Sequence, residues 1–238
     1  MGEASEAESP ADEKSPENRE RAQRILDAAM KLITHYGYDK TTVSDIAQEA
    51  GVSKGAIYLH WSSKDDLFEA LLLREIRLYT EEWFELIEAD PKGGTLAVMM
   101  REKLAILKRR PLLQALFSRD KRVLGDYVRR QEPDFYSKRL GYSHEFIELM
   151  QQVGVVRKGL DPAVVAYLLT CINYGFVMVD DVLEPGQIPP LDLIMQGIDV
   201  FIERALSPEE GANSEAGKQI LRQMLAQIKQ QWDKGKLM

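Results

Sequence analysis

Apolar residues recur at intervals of three and four positions along nearly all of this 238-residue chain. That spacing places them on one face of an α-helix, whereas a half-buried strand needs alternation, and no strand-length run of alternating polarity stands out. The chain is therefore predicted to be all-α. Its one cysteine excludes an intramolecular disulfide, so a hydrophobic core has to hold the helices together, and a chain of this length can build one.

Start and stop signals divide the chain into helical segments. Four helices are predicted in the first part, from Ser15-Pro16 to Gly37, from Thr42 to Gly51, from Ser53 to about residue 60, and from Ser63 to the DPKGG sequence at 90–94. Longer helical segments follow at 95–109, 111–128, 133–153, 163–179, 191–206 and 215–233, of which 163–179 is apolar all round. The role of the last segment stays open between supporting a dimer and closing a pocket.

The segment 163–179 carries no charged side chain. Its length is at the short limit for a membrane-spanning helix, and Thr170 and Asn173 interrupt its apolar surface. A helix that is apolar all round can also be buried on both sides in a soluble protein. We expect that second arrangement and no membrane association.

The net charge of −7 is concentrated at the N-terminus. Residues 1–17 hold six acidic side chains and one lysine among many Ser, Ala and Pro residues. Such a composition is typical of disorder, and its charge would be repelled by phosphate. We predict a disordered acidic tail over 1–17, and the nearly neutral remainder leaves nucleic-acid binding possible.

The sequence AGVSKGAIYLHW at 50–61 places Gly55 inside a short helix, where glycine costs about 1 kcal/mol relative to alanine. Two short helices joined by a tight glycine turn after a longer helix are typical of a helix-turn-helix, whose second helix enters the major groove of DNA. Without a side chain at Gly55, the start of that helix can approach DNA closely. Ile57 and Trp61 are expected to hold the helix to its bundle.

Other side chains of the same stretch suit contact with DNA. Lys54 supplies charge, and Tyr58 and His60 have polar tips for phosphates or base edges. Ala56 is small and apolar enough to contact a thymine methyl, and Ser53 is expected to cap the helix. Lys64 begins the next helix, where a phosphate would meet both the lysine and the helix end.

The run TTVSDIAQEAGVSKGAIYLHWSSKDDLFEALL closely resembles the DNA-binding domain of the TetR family of bacterial transcriptional regulators. The threonine-led helix, the AGVS-x-G turn, the aromatic pair and SK-x-x-L match in order, and the resemblance covers about residues 18–75. Trp61 stands where many relatives have phenylalanine. The resemblance implies a homodimeric repressor with a DNA-binding domain at 18–64 and an effector-binding and dimerisation domain at 65–238. Carried onto matching positions, it implies DNA contacts at Thr42, Lys54, Tyr58, His60 and Lys64; Ser53, Gly55 and Ala56 complete the predicted interface.

A palindromic operator requires a two-fold protein, so a dimer surface is expected. The best candidates are the uncharged helix at about 163–182 and the apolar stripe at 191–206. These two helices from each subunit would together form a four-helix bundle between the subunits. The effector pocket is expected to be apolar with a few polar groups. Its candidate lining residues are Trp83, Met99, Met100, Phe117, Tyr127, Phe146, Met150, Tyr167, Cys171, Tyr174 and Met178. A stripe of methionines and aromatics is also typical of plain core.

Two charge features indicate opposite effector charges. Residues 101–139 hold twelve basic and five acidic side chains, which form either a solvated face or an attraction for an anion. Asp180 and Asp181 end the apolar helix and could meet a cation. The class of effector therefore stays open.

An enzyme is the first rival function, but the chain has no G-x-S-x-G, Gly-rich phosphate loop or H-E-x-x-H motif. Its three histidines are scattered and its one cysteine does not suit a closed zinc site, so neither a metal nor a cofactor is expected. The second rival is a helical interaction protein. The alternative to a ligand-responsive regulator is a helical interaction or enzymatic domain that is fused to a helix-turn-helix and senses no small molecule. A cytoplasmic location is expected because no secretory signal is seen.

Overall fold

The computed structural model describes residues 15–127 and 143–232, and every regular element in these ranges is helical. The all-α fold predicted from the periodicity is confirmed. The described residues form two compact units. The N-terminal unit comprises residues 15–74 and 121–127, and the C-terminal unit comprises residues 75–120 and 143–232.

The helices are numbered in chain order. The first seven are α1 (Pro16–Tyr36), α2 (Val43–Ala50), α3 (Lys54–Tyr58), α4 (Lys64–Ala89), α5 (Leu96–Leu107), α6 (Pro111–Ser118) and α7 (Lys121–Leu124). The remaining described helices are α8 (His144–Gln152), α9 (Pro162–Met178), α10 (Leu191–Leu206) and α11 (Ser214–Trp232). Short 3₁₀ turns at Val179–Asp181 and Pro185–Gln187 lie between α9 and α10.

Most helix boundaries agree with the predicted capping signals, and the differences have local causes. The first helix begins at Pro16, with the Ser15 hydroxyl accepting from the Asn18 N–H at 3.2 Å. Ser15 therefore caps α1, and residues 16–17 belong to the helix rather than to a disordered tail. Residues 1–14 of that predicted tail lie outside the described residues. The predicted helix 111–128 is broken after Ser118, because Arg119 adopts a left-handed conformation with φ of 54°. Of the predicted segment 133–153, the structure describes α8.

The N-terminal unit has a fully buried core of branched side chains and one phenylalanine. They include Ile25, Ile33, Ile46, Ile57 and Phe68. Polar contacts reinforce the packing, since Lys31 pairs with Glu49 at 2.6 Å and Arg74 pairs with Asp27 at 2.7 Å. The compact unit therefore reaches Arg74 rather than ending at residue 64.

Residues 121–127 complete the N-terminal unit by binding the turn between α1 and α2. The Tyr38 N–H donates to the Val123 carbonyl at 2.7 Å, and the Asp39 carboxylate accepts from the Asp126 N–H at 3.2 Å. The Tyr127 ring packs edge-on against Phe68, with centroids 4.7 Å apart. Tyr127 was predicted to line the effector pocket, but it is buried in the N-terminal unit instead.

The C-terminal unit is built on α5, which packs against α10, and on α9, which packs against α6 and α8. Its core cluster draws buried side chains from six helices, including Ile87, Met100, Leu104, Met150, Leu169, Met195 and Leu221. Arg101 joins three elements by donating to Asp199 at 2.7 Å and to Asp90 at 3.0 Å. These contacts orient α5 along α10.

The last helix, α11, runs antiparallel along the second half of α4. At one end Lys218 donates from Nζ to the Glu88 carbonyl at 3.0 Å, and Arg222 binds the Glu88 carboxylate at 2.7 Å. The Arg222 hydrogen bonds lower the pKa of Glu88 from its usual value. At the other end Arg77 donates to the Trp232 carbonyl at 2.8 Å. Within one protomer, α11 therefore braces α4, a role that the sequence had left open.

One side of α9 is buried and the other is exposed. By length and composition, residues 162–181 are apolar enough to cross a membrane, yet only 28% of the segment is buried inside the protein. The exposed face carries Val164, Tyr167, Leu168 and Tyr174. The prediction that this helix is buried on both sides is thus wrong for a single protomer, because the protomer supplies a partner for one face only.

Candidate nucleic-acid interface

Helices α2 and α3 form a helix-turn-helix, and residues within the motif cap both helices and form the turn between them. Thr42 and Asp45 form a capping box at the start of α2, where the Asp45 N–H donates to the Thr42 hydroxyl at 3.2 Å and the Thr42 N–H donates to the carboxylate at 2.9 Å. Gly51 ends α2 with φ of 66°, a left-handed conformation that suits glycine. Ser53 then caps α3 by accepting from the Ala56 N–H at 3.1 Å. The Thr42 and Ser53 hydroxyls both serve the fold directly.

Gly55 has no structural requirement within its own unit. It is exposed near the start of α3, and a Cβ added there would meet only the Ser53 hydroxyl oxygen, at an ordinary distance of 3.7 Å. A residue with a side chain would fit, and alanine would favour the helix. Internal packing therefore does not explain the glycine at position 55. Close approach of another molecule to the exposed backbone does.

The aromatic side chains after Gly55 divide between surface and core. Ile57 is buried, whereas Tyr58 is 53% exposed and Leu59 is 62% exposed. His60 and Trp61 are half-buried, with ring centroids 5.2 Å apart. Helix α3 ends at Tyr58, which is earlier than the predicted residue 60, so the ring of His60 packs beside Trp61 rather than on the exposed face of α3.

Lys64 was predicted to meet a phosphate at the start of α4. In the structure its Nζ donates to the Tyr38 carbonyl at 2.8 Å and to the Thr41 carbonyl at 3.0 Å, and it lies 4.0 Å from the Tyr38 ring centroid. The ammonium group therefore connects α4 to the loop before α2. Lys54, in contrast, is exposed at the first position of α3.

The predicted effector residues fall into four groups in the structure. Met99, Met100 and Met150 are fully buried in the C-terminal core, and Trp83 and Phe146 pack against the same cluster. Phe117 is buried in α6, and Met178 is half-buried at the end of α9. Tyr167, Cys171 and Tyr174 lie on the exposed face of α9, so they do not line an interior site of one protomer. Tyr127 belongs to the N-terminal unit.

The basic side chains that suggested an anionic effector are largely neutralised by acidic neighbours. Arg110 pairs with Glu75 at 3.2 Å and with Glu82 at 2.7 Å, and Arg109 also pairs with Glu82. Lys108 pairs with Asp180, the residue that suggested a cationic effector. Both charge features thus contribute to internal pairing. Arg129, Arg130, Lys138 and Arg139 of the basic stretch lie outside the described residues.

Two polar residues of the C-terminal unit lie at positions that the sequence reasoning did not include in the effector site. Asn173 is 2% exposed on the inner side of α9, although the sequence marked it only as an interruption of an apolar run. Lys103 is half-buried on α5, and burial lowers its pKa to about 8. A polar residue within the uncharged run of α9 is the sequence signal that could have identified Asn173.

The lowered pKa of Lys103 predicts a pH-dependent effect on stability. An unfolded lysine holds its proton up to the ordinary value of 10.5, so between about pH 8 and that value the unfolded chain binds more protons and the folded state becomes more stable as pH rises. Lys103→Met removes this penalty and should raise the free energy of unfolding by about 1–3 kcal/mol at pH 7. The gain should shrink towards pH 10, as measured by chemical denaturation.

Lys158→Met provides the matched control, because Lys158 is an exposed lysine of the same unit. It should change the free energy of unfolding by the same small amount at pH 7 and pH 10. A gain from Lys103→Met that stays constant over this range would show that burial does not perturb Lys103.

The N-terminal unit, which contains the helix-turn-helix, is also the part of the chain that matches a known protein family. Residues 25–71, which span the core of α1, the helix-turn-helix and the start of α4, match the family model for bacterial regulatory proteins of the tetR family. The chain is 29% identical over 169 residues to the probable acrEF/envCD operon repressor of Escherichia coli K12, covering 65% of this chain and 73% of that relative. Residues 25–71 of this chain thus carry the sequence of a tetR-family DNA-binding domain. The predicted resemblance is confirmed.

Further tetR-family comparisons extend over most of the chain. It is 26% identical over 192 residues to the uncharacterized HTH-type transcriptional regulator YuxN of Bacillus subtilis, covering 78% of this chain and 64% of that relative, a little less than two thirds of its length. The solved structure of the transcriptional regulator FadR from Bacillus subtilis in complex with stearoyl-CoA superposes with a TM-score of 0.56. That match is 22% identical and covers 76% of this chain and 96% of FadR. At this identity the match shows a common fold.

Proposed function

We propose that this protein is a ligand-responsive transcriptional repressor that binds a palindromic operator as a homodimer and is released by a small molecule. The observation that carries the proposal is the exposed start of α3. Gly55 leaves the backbone there without a side chain, although the fold itself does not require glycine at this position. The tetR-family DNA-binding domain and the operator repressor among the relatives of the chain support the proposal.

The DNA-binding surface is assigned to the exposed residues of the helix-turn-helix. Helix α3 enters the major groove, with Lys54 towards the phosphates and Tyr58 towards phosphate or base edges. Gly55 and Ala56 admit the closest backbone approach. Thr42 and Ser53 act through the capped helix ends. His60 and Lys64 are half-buried and position the motif, His60 by packing beside Trp61 and Lys64 by holding the loop before α2.

The homodimer is assigned to the exposed apolar faces of α9 and α10. On α10 an apolar groove is lined by Leu193, Gly197, Val200 and Phe201, and Phe201 is 62% exposed. Contiguous apolar surface of this kind marks an interaction site. A second copy of this chain is the occupant that a two-fold operator requires, and it supplies the missing partner for the outer face of α9.

The effector region is assigned to the core-facing sides of α5, α8 and α9 in the C-terminal unit. The solved relative FadR was crystallised with stearoyl-CoA, which supports a small-molecule ligand for this chain as well. The relatives compared are transcriptional regulators, and we assign no catalytic role to this protein. A regulator acts where the DNA is, so we place it in the cytoplasm and assign the apolar face of α9 to the dimer rather than to a membrane.

Gly55→Ala separates the fold from DNA recognition. Alanine should stabilise α3, raising the free energy of unfolding by about 0.5–1 kcal/mol, because glycine is a poor helix former and the added Cβ has room. The same methyl group should weaken operator binding roughly tenfold, or about 1.4 kcal/mol, by holding the backbone away from DNA. Thermal unfolding and a gel shift with duplexes selected from the region flanking the gene measure both effects.

Gly186→Ala serves as the matched control, because Gly186 also has no atom near its added Cβ and lies outside the helix-turn-helix. It should leave operator affinity unchanged. The proposal fails if the wild-type protein shows no saturable, salt-sensitive binding that survives excess random DNA, or if Gly55→Ala binds the operator as tightly as wild type.

A further inference from the structure

Asn173 is a buried amide without a hydrogen-bond partner in the described part of the chain. Its side chain is 2% exposed, and neither Nδ2 nor Oδ1 makes a hydrogen bond. Buried amides are nearly always paired, because leaving them unpaired forfeits the hydrogen bonds that water would provide. An orphaned amide in a protein interior therefore indicates a missing partner.

The position of Asn173 on α9 gives the direction of its side chain. Ala166, Leu169 and Asn173 follow one another at intervals of three and four residues, so they share one face of the helix. Ala166 and Leu169 belong to the core cluster of the C-terminal unit. The amide is thus directed into the same apolar interior, where α9 packs against α6 and α8.

The surroundings of Asn173 along α9 are uncharged. Residues 162–179 hold no ionisable acid or base apart from two exposed tyrosines and one exposed cysteine. One turn after Asn173, the ring of Phe176 is covered by Lys108, whose Nζ lies 4.9 Å from the ring centroid and pairs with Asp180. Lys108 and Asp180, the charges at this end of the helix, are therefore already paired with each other.

The chemistry of the amide restricts what would complete it. Nδ2 donates and Oδ1 accepts, so a partner that satisfies both atoms has to accept and donate in turn. A hydroxyl or an amide does both. An ether or ester accepts only, and a carboxylate would face the Asn173 carbonyl with a buried negative charge.

We propose that Asn173 is the polar anchor of the effector site, and that the effector is a mainly apolar molecule bearing one uncharged group that both donates and accepts a hydrogen bond. This inference rests on the proposed small-molecule response and names its ligand class. The remainder of the ligand contacts the apolar side chains around Asn173, which provide affinity, while the amide provides selectivity.

The test compares probes that differ only in the polar group. Full-length protein is titrated with 1-decanol, decanamide, decyl methyl ether and decanoic acid, and with the corresponding 2-substituted naphthalenes. Thermal shift measures binding, and release of operator DNA measures the response. Within a skeleton that binds, the alcohol or amide should bind at least tenfold more tightly than the methyl ether and the acid.

Asn173→Leu should abolish that selectivity while raising the unfolding midpoint of the unliganded protein, because the unpaired amide is gone. Asn173→Ala is the second variant if leucine repacks the helix, and it should lose the selectivity as well. Thr170→Val is the matched control, since the Thr170 hydroxyl already donates to the Ala166 carbonyl at 2.8 Å and its loss should leave the selectivity intact.

Four outcomes would overturn the inference. Three of them are binding of none of the probes, a preference for the acid or the methyl ether, and a hydroxyl or amide preference that survives Asn173→Leu. The fourth is a wild-type protein that binds all probes equally, together with a stabilised Asn173→Leu variant, which would show that ordered water completes the amide. Operator binding by the unliganded wild type is measured separately, so the proposed repressor function can stand when the inference about Asn173 fails.

Discussion

Phe201→Glu should convert the protein to a monomer and lower its operator affinity by at least about 100-fold, which corresponds to about 2.7 kcal/mol. Phe201 is 62% exposed in the apolar groove of α10, next to Val200 and Gly197. In the proposed dimer this ring is covered by the second copy, and a carboxylate in its place would be buried without a partner. Light scattering after size exclusion gives the oligomeric state, and a gel shift gives the affinity.

Leu78→Glu is the matched control for this substitution. Leu78 is also a large apolar side chain that is exposed, at 43%, but it lies on α4 outside both proposed dimer helices. The Leu78→Glu protein should remain dimeric and bind the operator. A Phe201→Glu protein that stays dimeric would remove α10 from the interface, and a monomeric wild-type protein would reject the homodimer.

Gly94→Ala should destabilise the C-terminal unit by roughly 3 kcal/mol and lower the unfolding midpoint by about 6–12 °C. A Cβ at Gly94 would lie 1.7 Å from the Ser214 carbonyl oxygen and 2.7 Å from the Lys218 nitrogen, both of them backbone atoms. The start of α11 would have to move away from the loop between α4 and α5. That movement would break the hydrogen bond of 3.0 Å from the Gly94 N–H to the Ser214 hydroxyl.

Gly217→Ala tests the same contact from the side of α11, because the added Cβ would lie 2.0 Å from the Gly94 carbonyl oxygen. The double variant should lose less stability than the two single losses added together, since one displacement of α11 relieves both clashes. Thermal unfolding measures all three, with Gly186→Ala as the control at an unhindered glycine. A midpoint for Gly94→Ala within 2 °C of wild type, roughly a 1 kcal/mol change, would show that α11 does not brace α4 as described.

Helix positions were largely predictable because the signals that begin and end a helix are local. The box of Thr42 and Asp45, the cap at Ser53 and the left-handed Gly51 each depend on residues within one turn. Arg119 shows the limit of this reasoning. It adopts a left-handed conformation without being glycine, so no local signal marks the break that divides 111–128 into α6 and α7.

The candidate DNA interface was predictable to the extent that it lies in one continuous stretch. Exposure of Tyr58 and burial of Ile57 follow from their spacing on α3. The contacts of Lys64 did not follow from the sequence, because its carbonyl partners, Tyr38 and Thr41, lie more than twenty residues away. A side chain that suits phosphate by type can thus be engaged by a distant loop.

By itself, the sequence determined the all-α class and the helix-turn-helix, because apolar periodicity, capping and turn residues act over short distances. The resemblance to the tetR family came from one continuous stretch of residues rather than from these patterns. Only the tertiary structure decided that Tyr127 belongs with the N-terminal unit, that α11 braces α4 and that the basic residues near 101–110 pair with acids. It also decided that α9 exposes one apolar face while directing Asn173 inward. These properties depend on which helices meet, and burial and pairing between distant segments are set by packing rather than by local pattern.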